Sequence, residues 1–179
     1  GGLIEVLRQF SVKTLALPDA RPKEQSDLAV YEELLSLAQE KKVSIVHPVT
    51  GDSFAVGTFL GTYYLPATTE DENDNTLLIT LQKGDFSALL LADASKSAEK
   101  ELLEMLKLQN ITLLKIGHHG SATSTSDALL KTIKPQNAVI SVGANNSYGH
   151  PTGEVLERLQ RYRAHIYRTD QNGCITVTG

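Results

Sequence analysis

The segment Ile111-Thr-Leu-Leu-Lys-Ile-Gly-His118-His119-Gly-Ser121 joins an apolar strand pattern to a loop of small residues around two adjacent histidines. In open α/β sheets, ligands bind at the carboxyl ends of strands, which is where such a loop lies. Neighbouring imidazoles on an extended backbone point in different directions. One of His118 and His119 can therefore bind a metal ion while the other faces a substrate. The alternative is a turn in which both polar side chains are satisfied by hydrogen bonds.

Asp93 follows the apolar run Leu89-Leu-Leu-Ala92, so its carboxylate emerges at the end of a second buried strand. A charge at that position is costly unless it is paired, solvated or bound to a metal. A carboxylate can bridge two divalent ions and help to place the nucleophile of metal-assisted hydrolysis. The alternative is that Asp93 caps the helix predicted to follow, although Ser95 could also do so.

A third strand pattern runs out into Gly143-Ala-Asn-Asn146-Ser-Tyr148-Gly-His150-Pro151. The Asn, Tyr and His side chains of this loop can donate hydrogen bonds to an anionic oxygen. Turns rich in Asn and Gly are common at any strand exit, so a purely structural loop is the alternative. The acidic loop that contains Asn73 and Asn75 has the same structural interpretation.

The remaining patterns predict a mixed α/β fold. Strands are predicted at 12–17, 43–46, 54–56, 58–65, 76–81, 86–91, 111–116 and 137–142, and helices at 3–10, 27–41, 97–108, 126–133 and 153–162. A parallel crossover unit is followed by hairpins and then by alternating strands and helices, which indicates a mixed sheet covered by helices. We expect residues 166–168 and 174–177 to form a closing hairpin, with Cys174 as a small core residue.

Several other polar residues are interpreted as structural. His47 and His165 are expected to be satisfied polar residues of the fold. A local basic patch is interpreted as a solvated face and comprises Arg158, Arg161, Arg163 and Arg168.

The composition is that of an ordinary globular protein of 179 residues, 41% hydrophobic and 21% charged, with a net charge of −4. Dedicated nucleic-acid binders are usually basic, so any contact with a polyanion must be local. No apolar run approaches the roughly 20 residues that span a bilayer. We expect one domain, residues 1–179, and the opening Gly1-Gly2-Leu3 without an initiator Met suggests that it is cut from a longer protein.

Six segments together resemble the metallo-β-lactamase-like domain of the ComEC family of DNA-internalisation competence proteins. The segments are Asn73-Asp-Asn-Thr-Leu-Leu78, Leu89-Leu-Leu-Ala-Asp93, Leu114-Lys-Ile-Gly-His-His-Gly-Ser121, Ile140-Ser-Val-Gly143, Asn146-Ser-Tyr-Gly-His-Pro151 and Tyr167-Arg-Thr-Asp170. The resemblance implies an incomplete αββα sandwich, in which mixed sheets are flanked by helices.

The same resemblance implies roles for the candidate residues. Asp93 is the metal-bridging carboxylate and His119 a metal ligand, while His118, His150 and Asn146 serve catalysis close to the phosphate. The implied cofactor is a divalent metal, zinc or manganese, and the implied substrate is a phosphodiester in a single strand of DNA. The implied location is a domain of a membrane protein, on the outer face of the cytoplasmic membrane.

One departure from the family pattern changes what we expect of this chain. The family motif H-x-H-x-D-H is absent from the sequence, and Gly1-Gly2-Leu3 resembles the residues that follow it. We therefore expect weak or no metal binding and little hydrolytic activity in this portion, although the resemblance implies that its parent is a hydrolase. The missing first strands leave a surface uncovered, which predicts a homodimer or a covering partner. The alternatives are a small-molecule phosphoesterase of the same fold and a catalytically silent domain that binds DNA or a partner.

Overall fold

The computed structural model describes residues 2–67, 74–106 and 109–178. The backbone divides into two compact units, Gly1–Val49 and Thr50–Gly179, which are described separately below. The single domain expected over residues 1–179 stays a prediction. No helix within the described ranges is both long enough and apolar enough to cross a membrane.

The first unit is a parallel strand pair connected through a helix. Its elements are α1 (Gly2–Gln9), β1 (Thr14–Ala16), α2 (Gln25–Glu40) and β2 (Ser44–Val46). β1 pairs in parallel with β2. Ile4 and Leu7 of α1 are buried together with Leu15 of β1 and with Leu34 and Ala38 of α2. The strand-helix-strand crossover predicted from the sequence is therefore confirmed.

The second unit is built on a mixed seven-stranded sheet. Its strands are β3 (Ser53–Val56), β4 (Phe59–Tyr64), β5 (Leu78–Lys83), β6 (Phe86–Leu90), β7 (Leu113–Lys115), β8 (Asn137–Ile140) and β9 (His165–Arg168). Its helices are α3 (Lys96–Met105), α4 (Asp127–Ile133), α5 (Gly153–Arg161) and α6 (Thr169–Asn172).

Strand direction in this sheet changes at β6. The strands lie in the order β3-β4-β5-β6-β7-β8-β9. Pairs from β3 to β6 are antiparallel, and pairs from β6 to β9 are parallel. Short turns join β3 to β4 and β5 to β6, whereas α3, α4 and α5 connect the parallel strands, as parallel pairing requires. The loops that leave β6, β7 and β8 consequently lie along one edge of the sheet.

One face of the sheet packs against α3, α4 and α5. Leu89 of β6, Leu114 of β7 and Ile140 of β8 are fully buried in one cluster with Leu102 of α3 and Leu159 of α5. A shift of any of these strands by one residue would turn its leucine or isoleucine away from the helices. The core therefore fixes the register of the parallel strands and the positions of the loops that follow them.

The opposite face of the sheet carries an apolar groove with a volume of about 740 Å³. Side chains alternate between the two faces of a strand, so the residues of this groove are the sequence neighbours of the buried core. We call this surface the open face; its lining includes Ile79, Leu81, Phe86, Leu90 and Leu113, together with Val177 of the C-terminal segment.

The C-terminal segment does not form the predicted hairpin. Residues 169–172 form the short helix α6, in which the N–H of Gly173 donates to the carbonyl of Thr169 at 3.1 Å. β9 pairs in parallel with β8, and residues 174–178 are not assigned to a strand. Cys174, expected in the core, is exposed. Both predictions are wrong because the polar residues after β9 close a helical turn rather than returning the chain beside β9.

The two faces of β7 allow a direct test of this core. Replacing Leu114, which is fully buried under the helices, with Ala should lower the free energy of unfolding by about 2–5 kcal/mol, because it leaves a cavity. The matched control is Leu113→Ala, which alters the neighbouring open-face leucine and should cost clearly less. Urea unfolding at a protein concentration that keeps the chain monomeric measures both. Equal losses would show that the open face is as well packed as the core.

Candidate functional site

The histidine turn, Gly117–Gly120, comes shortly after β7 and is held in an unusual backbone conformation. His118 and His119 have φ values of 44° and 54°, in the left-handed region that few residues other than Gly adopt. Strain of this kind persists only where the surroundings enforce it. Here the N–H of His118 donates to the carbonyl of Ala92 at 2.9 Å, which ties the turn to the loop after β6.

Asp93 and His119 face each other across these two joined loops. Oδ1 of Asp93 lies 3.7 Å from Nε2 of His119, and both side chains are about half exposed, at 45% and 49%. Nδ1 of His119 lies 2.6 Å from the carbonyl oxygen of Ser141, an acceptor only, so Nδ1 is the donor, and in the neutral imidazole the lone pair is on Nε2. A histidine fixed in this way is oriented as metal-binding histidines are. The geometry thus brings together two residues that are far apart in the sequence.

The alternative role of Asp93 as a helix cap does not apply. Ser95 caps α3, because its hydroxyl accepts the N–H groups of Ser97 and Ala98. Ser95 is in turn held by Asp74, a buried carboxylate that accepts both its N–H and its hydroxyl at 2.9 Å. Asp74 therefore supports the turn that presents Asp93. Sequence reasoning missed this role, although an acidic residue just before an apolar strand is a usable signal.

His118 and His150 lie side by side next to this pair. Their ring centroids are 5.8 Å apart, and the ring of Tyr148 lies 6.0 Å from that of His150 at an interplanar angle of 22°. Nδ1 of His150 is buried and has no hydrogen-bond partner among the described residues. Burial, followed by the nearby His118 and His119, lowers the pKa of His150. Its neutral form, which can accept a proton or a hydrogen bond, is therefore favoured at neutral pH.

Asn146 holds the loop that carries these rings. Its amide nitrogen donates to the carbonyl of His150 at 2.7 Å and to that of Gly143 at 3.1 Å, and its oxygen accepts the N–H of His150 at 3.0 Å. The side chain is thus engaged with the backbone at both ends. The structure supports a role in positioning His150, and the predicted role of Asn146 in catalysis stays a prediction.

Gly120 brings the histidine turn and the loop after β8 into contact. Its φ is +86°, and a Cβ added there would lie 2.6 Å from Cβ of Pro151. The carbonyl of Gly120 also accepts the N–H of Thr152 at 3.0 Å. A side chain at position 120 would be strained by the backbone and would push the two loops apart.

The loop that follows the histidine turn is clamped by two buried, oppositely charged side chains. The guanidinium of Arg158 in α5 donates to the carbonyls of Ser124 and Thr125. The carboxylate of Glu99 in α3 accepts the N–H groups of Thr125 and Ser126. The hydroxyl of Ser124, also fully buried, donates to the carbonyl of Gly117 at 2.7 Å. The clamp therefore reaches the first residue of the histidine turn.

Sequence reasoning misassigned part of this network. Arg158 was expected in a solvated basic patch, but it is buried and bonded, and Arg168 is paired with Asp170 at 2.6 Å. The prediction of a patch is wrong for both. The spacing contained the signal for Arg158, which follows Val155 by three residues and precedes Leu159 on the buried side of α5. Burial raises the pKa of Glu99, while the two N–H donors and Arg158 act against that rise.

The candidate metal donors fit part of a metal site. Asp93 and His119 supply one carboxylate oxygen and one imidazole nitrogen, whereas catalytic zinc sites take three protein ligands. Within the described ranges, no group of three or more His, Cys, Asp or Glu side chains is arranged to hold a metal ion. The ammonium of Lys115 lies near Asp93 and donates to the carbonyl of Ile116 at 2.7 Å. Burial lowers the pKa of Lys115, and the nearby carboxylate of Asp93 opposes that change. The described donors do not complete a metal centre by themselves.

The other polar candidates lie elsewhere. Nδ1 of His47 lies 3.2 Å from the carbonyl of Leu17 in the first unit. His165 begins β9, at the end of that strand remote from the site loops. Asn73 lies outside the described residues, and Asn75 lies in a bend shortly before β5.

Solved structures identify the class of fold. CmlA, a diiron β-hydroxylase from Streptomyces venezuelae, aligns with a TM-score of 0.58 at 10% sequence identity, over 93% of this chain and 40% of CmlA. An identity this low concerns the fold alone. The chain has a metallo-β-lactamase-type fold, and the predicted mixed sheet flanked by helices is confirmed.

Three curated relatives are similar to the chain in sequence. The chain is 33% identical over 172 residues to ComE operon protein 3 of Bacillus subtilis, covering 95% of this chain and 22% of that protein. It is 38% identical over 109 residues to Recombination protein 2 of Haemophilus influenzae, covering 61% and 14%. It is 32% identical over 107 residues to Competence protein ComA of Neisseria gonorrhoeae, covering 59% and 15%. No family model matches the chain.

The chain is homologous to these proteins, and the resemblance to the ComEC family of competence proteins seen in the sequence is confirmed. The chain spans only about a fifth of the length of ComE operon protein 3. The activity and partners of the whole protein are therefore matters for proposal.

The loop clamp can be tested with two arginines of α5. Arg158→Ala should lower the free energy of unfolding by about 2–4 kcal/mol, because it leaves the carbonyls of Ser124 and Thr125 buried without their donor. The matched control is Arg161→Ala, which removes an exposed arginine paired with Asp127 and should cost at most about 1 kcal/mol. Chemical denaturation followed by circular dichroism measures both. Similar small losses would contradict the clamp.

Proposed function

We propose that this chain is part of a metal-dependent hydrolase domain that acts on phosphodiesters of single-stranded DNA in a competence protein. One observation carries the proposal: Oδ1 of Asp93 lies 3.7 Å from Nε2 of His119. The other ring nitrogen of His119, Nδ1, donates to the carbonyl of Ser141 and so fixes the orientation of the ring. The homology to competence proteins supports the substrate class.

The positions of the residues support the following roles. Asp93 and His119 would hold one side of a divalent metal, zinc or manganese, and the further donors would come from an H-x-H-x-D-H segment of the parent protein. The metal, when bound, supplies Lewis acidity at the phosphate. His118 and His150 lie close enough to contact the same phosphate. The neutral imidazole favoured for His150 can accept a hydrogen bond or a proton there.

The location of the domain is part of the proposal. The parent would be a membrane protein, and this domain would lie on the outer face of the cytoplasmic membrane, where incoming DNA is met. The incomplete donor set among the described residues supports a second candidate, a catalytically silent domain that binds DNA or a partner.

Metal titration separates the two candidates. Calorimetric titration of this chain with Zn²⁺ or Mn²⁺ should show no tight stoichiometric site, because two donors are too few. When the chain is joined to the H-x-H-x-D-H segment in the longer protein, a tight site and cleavage of labelled single-stranded DNA should appear. Asp93→Asn and His119→Ala should each reduce cleavage by at least about 100-fold, since they remove ligands rather than their supports.

The control for this experiment is His165→Ala, which alters a histidine remote from the site and should leave cleavage unchanged. Absence of both metal binding and cleavage in the longer protein would favour the silent domain. A tight site in this chain alone would contradict the assignment of only two ligands.

We also propose that two copies of the chain associate through the open face. This face is apolar over the central strands β5, β6 and β7, and the same patch can pack on itself around a two-fold axis. Sheets pack face to face at about 10 Å, so opposed grooves would exclude water from both.

Light scattering coupled to size-exclusion chromatography tests this association. The wild-type chain should elute as a dimer, and Leu81→Lys should shift it to the monomer by placing a charge in the groove. Leu60→Lys is the matched control, because Leu60 lies on β4 but does not line the groove and is already exposed. A monomeric wild-type chain at high concentration would contradict the proposal.

A further inference from the structure

Tyr148 stands out because a large aromatic side chain is left almost entirely in water beside the candidate site. It is 80% exposed, more than any other large hydrophobic side chain in the described part of the chain. Exposed apolar surface forgoes the favourable free energy of burial. A single exposed ring is unremarkable on most surfaces. The exposed ring of Tyr148 is informative because it lies next to His150 and His118.

The ring is presented from a braced position. One side lies against His150, at 6.0 Å and 22°, and His150 lies edge-on to His118 at 5.8 Å. The two hydrogen bonds between Asn146 and the backbone of His150 close the loop around Tyr148. The aromatic ring is therefore held beside the imidazoles that would contact a phosphate.

The charge of the chain favours an aromatic contact for a nucleic-acid ligand. A net charge of −4 provides no general attraction for a polyanion. Two arginines are already bonded to protein groups. Arg158 donates to the loop after the histidine turn, and Arg168 is paired with Asp170. Stacking of a base on an aromatic ring does not depend on protein charge, and it tolerates any sequence because every base has a π-face.

We propose that Tyr148 is a stacking platform for an unpaired nucleobase whose phosphate lies at His118 and His150. The proposal rests on the proposed function, in which this site takes single-stranded DNA. Because the bases of a duplex are already stacked on one another, such a platform selects single strands. It also sets the register of the strand, since the stacked base determines which phosphate meets the imidazoles.

Fluorescence anisotropy with the full chain tests this role. The probes are a labelled oligothymidylate and an abasic oligomer of equal length, each at low and high salt. Tyr148→Ala should weaken binding of oligothymidylate by about 5- to 150-fold, the effect of losing one stacked base. The loss should be similar at both salt concentrations. Tyr148→Phe, which keeps the ring, should bind like the wild type.

Tyr167→Ala is the matched control, because Tyr167 is also exposed, at 42%, but lies on β9 away from the loop of Tyr148. It should bind both probes like the wild type. The abasic probe should not distinguish Tyr148→Ala from the wild type. Thermal melting of Tyr148→Ala should be unchanged, since the side chain is exposed.

Three results would overturn the proposal. Wild-type affinity of Tyr148→Ala for oligothymidylate would show that the ring does not stack on a base. An equal loss on the abasic probe, or an equal loss in Tyr148→Phe, would assign the effect to the backbone or to the hydroxyl. Failure of the wild-type chain to bind either probe would overturn the DNA-binding function as well, whereas the first two results would leave that function standing.

Discussion

The parallel pairing of β6 with β7 is the constraint on which the candidate site depends. It places Leu89 opposite Leu114, so that both strands end at the same edge of the sheet. The hydrogen bond from the N–H of His118 to the carbonyl of Ala92 then joins the two loops directly beyond the strands. Asp93 and His119 meet because of these contacts, although 25 residues separate them in the chain. The buried leucines thus determine the position of the polar groups.

The sequence predicted the strands and helices well where the apolar pattern was regular. The apolar runs before Asp93 and before the histidine pair are strands, and both end where the site lies. The positions of the site loops could also be predicted, because polar residues that follow buried strands lie at the end of the sheet. The helix cap was also resolved by local chemistry, since the hydroxyl of Ser95 is better placed than the carboxylate of Asp93 to accept the first N–H groups of α3.

The failures have physical causes of a different kind. The end of the chain contains strand-forming residues on both sides of a turn, but pairing with β8 and the helical turn after Thr169 decide its structure. Arg158 is charged and was placed on the surface, yet it is buried and donates to two loop carbonyls and to the carboxylate of Glu154. The helical spacing placed Arg158 on the buried side of α5, but it did not identify the groups that Arg158 contacts. The position of Asp74 before an apolar strand was likewise visible, whereas its bonds to Ser95, 21 residues further along the chain, were not.

The close approach of Gly120 to Pro151 has a consequence for communication within the site. The two loops touch with no room for even a methyl group between them, and the backbone bond to Thr152 fastens the contact. Movement of either loop toward the other would press Gly120 against Pro151. In the proposed function, a base held at Tyr148 would therefore lie on a loop that directly abuts the turn carrying His119, and the lack of a side chain at position 120 is what allows that proximity.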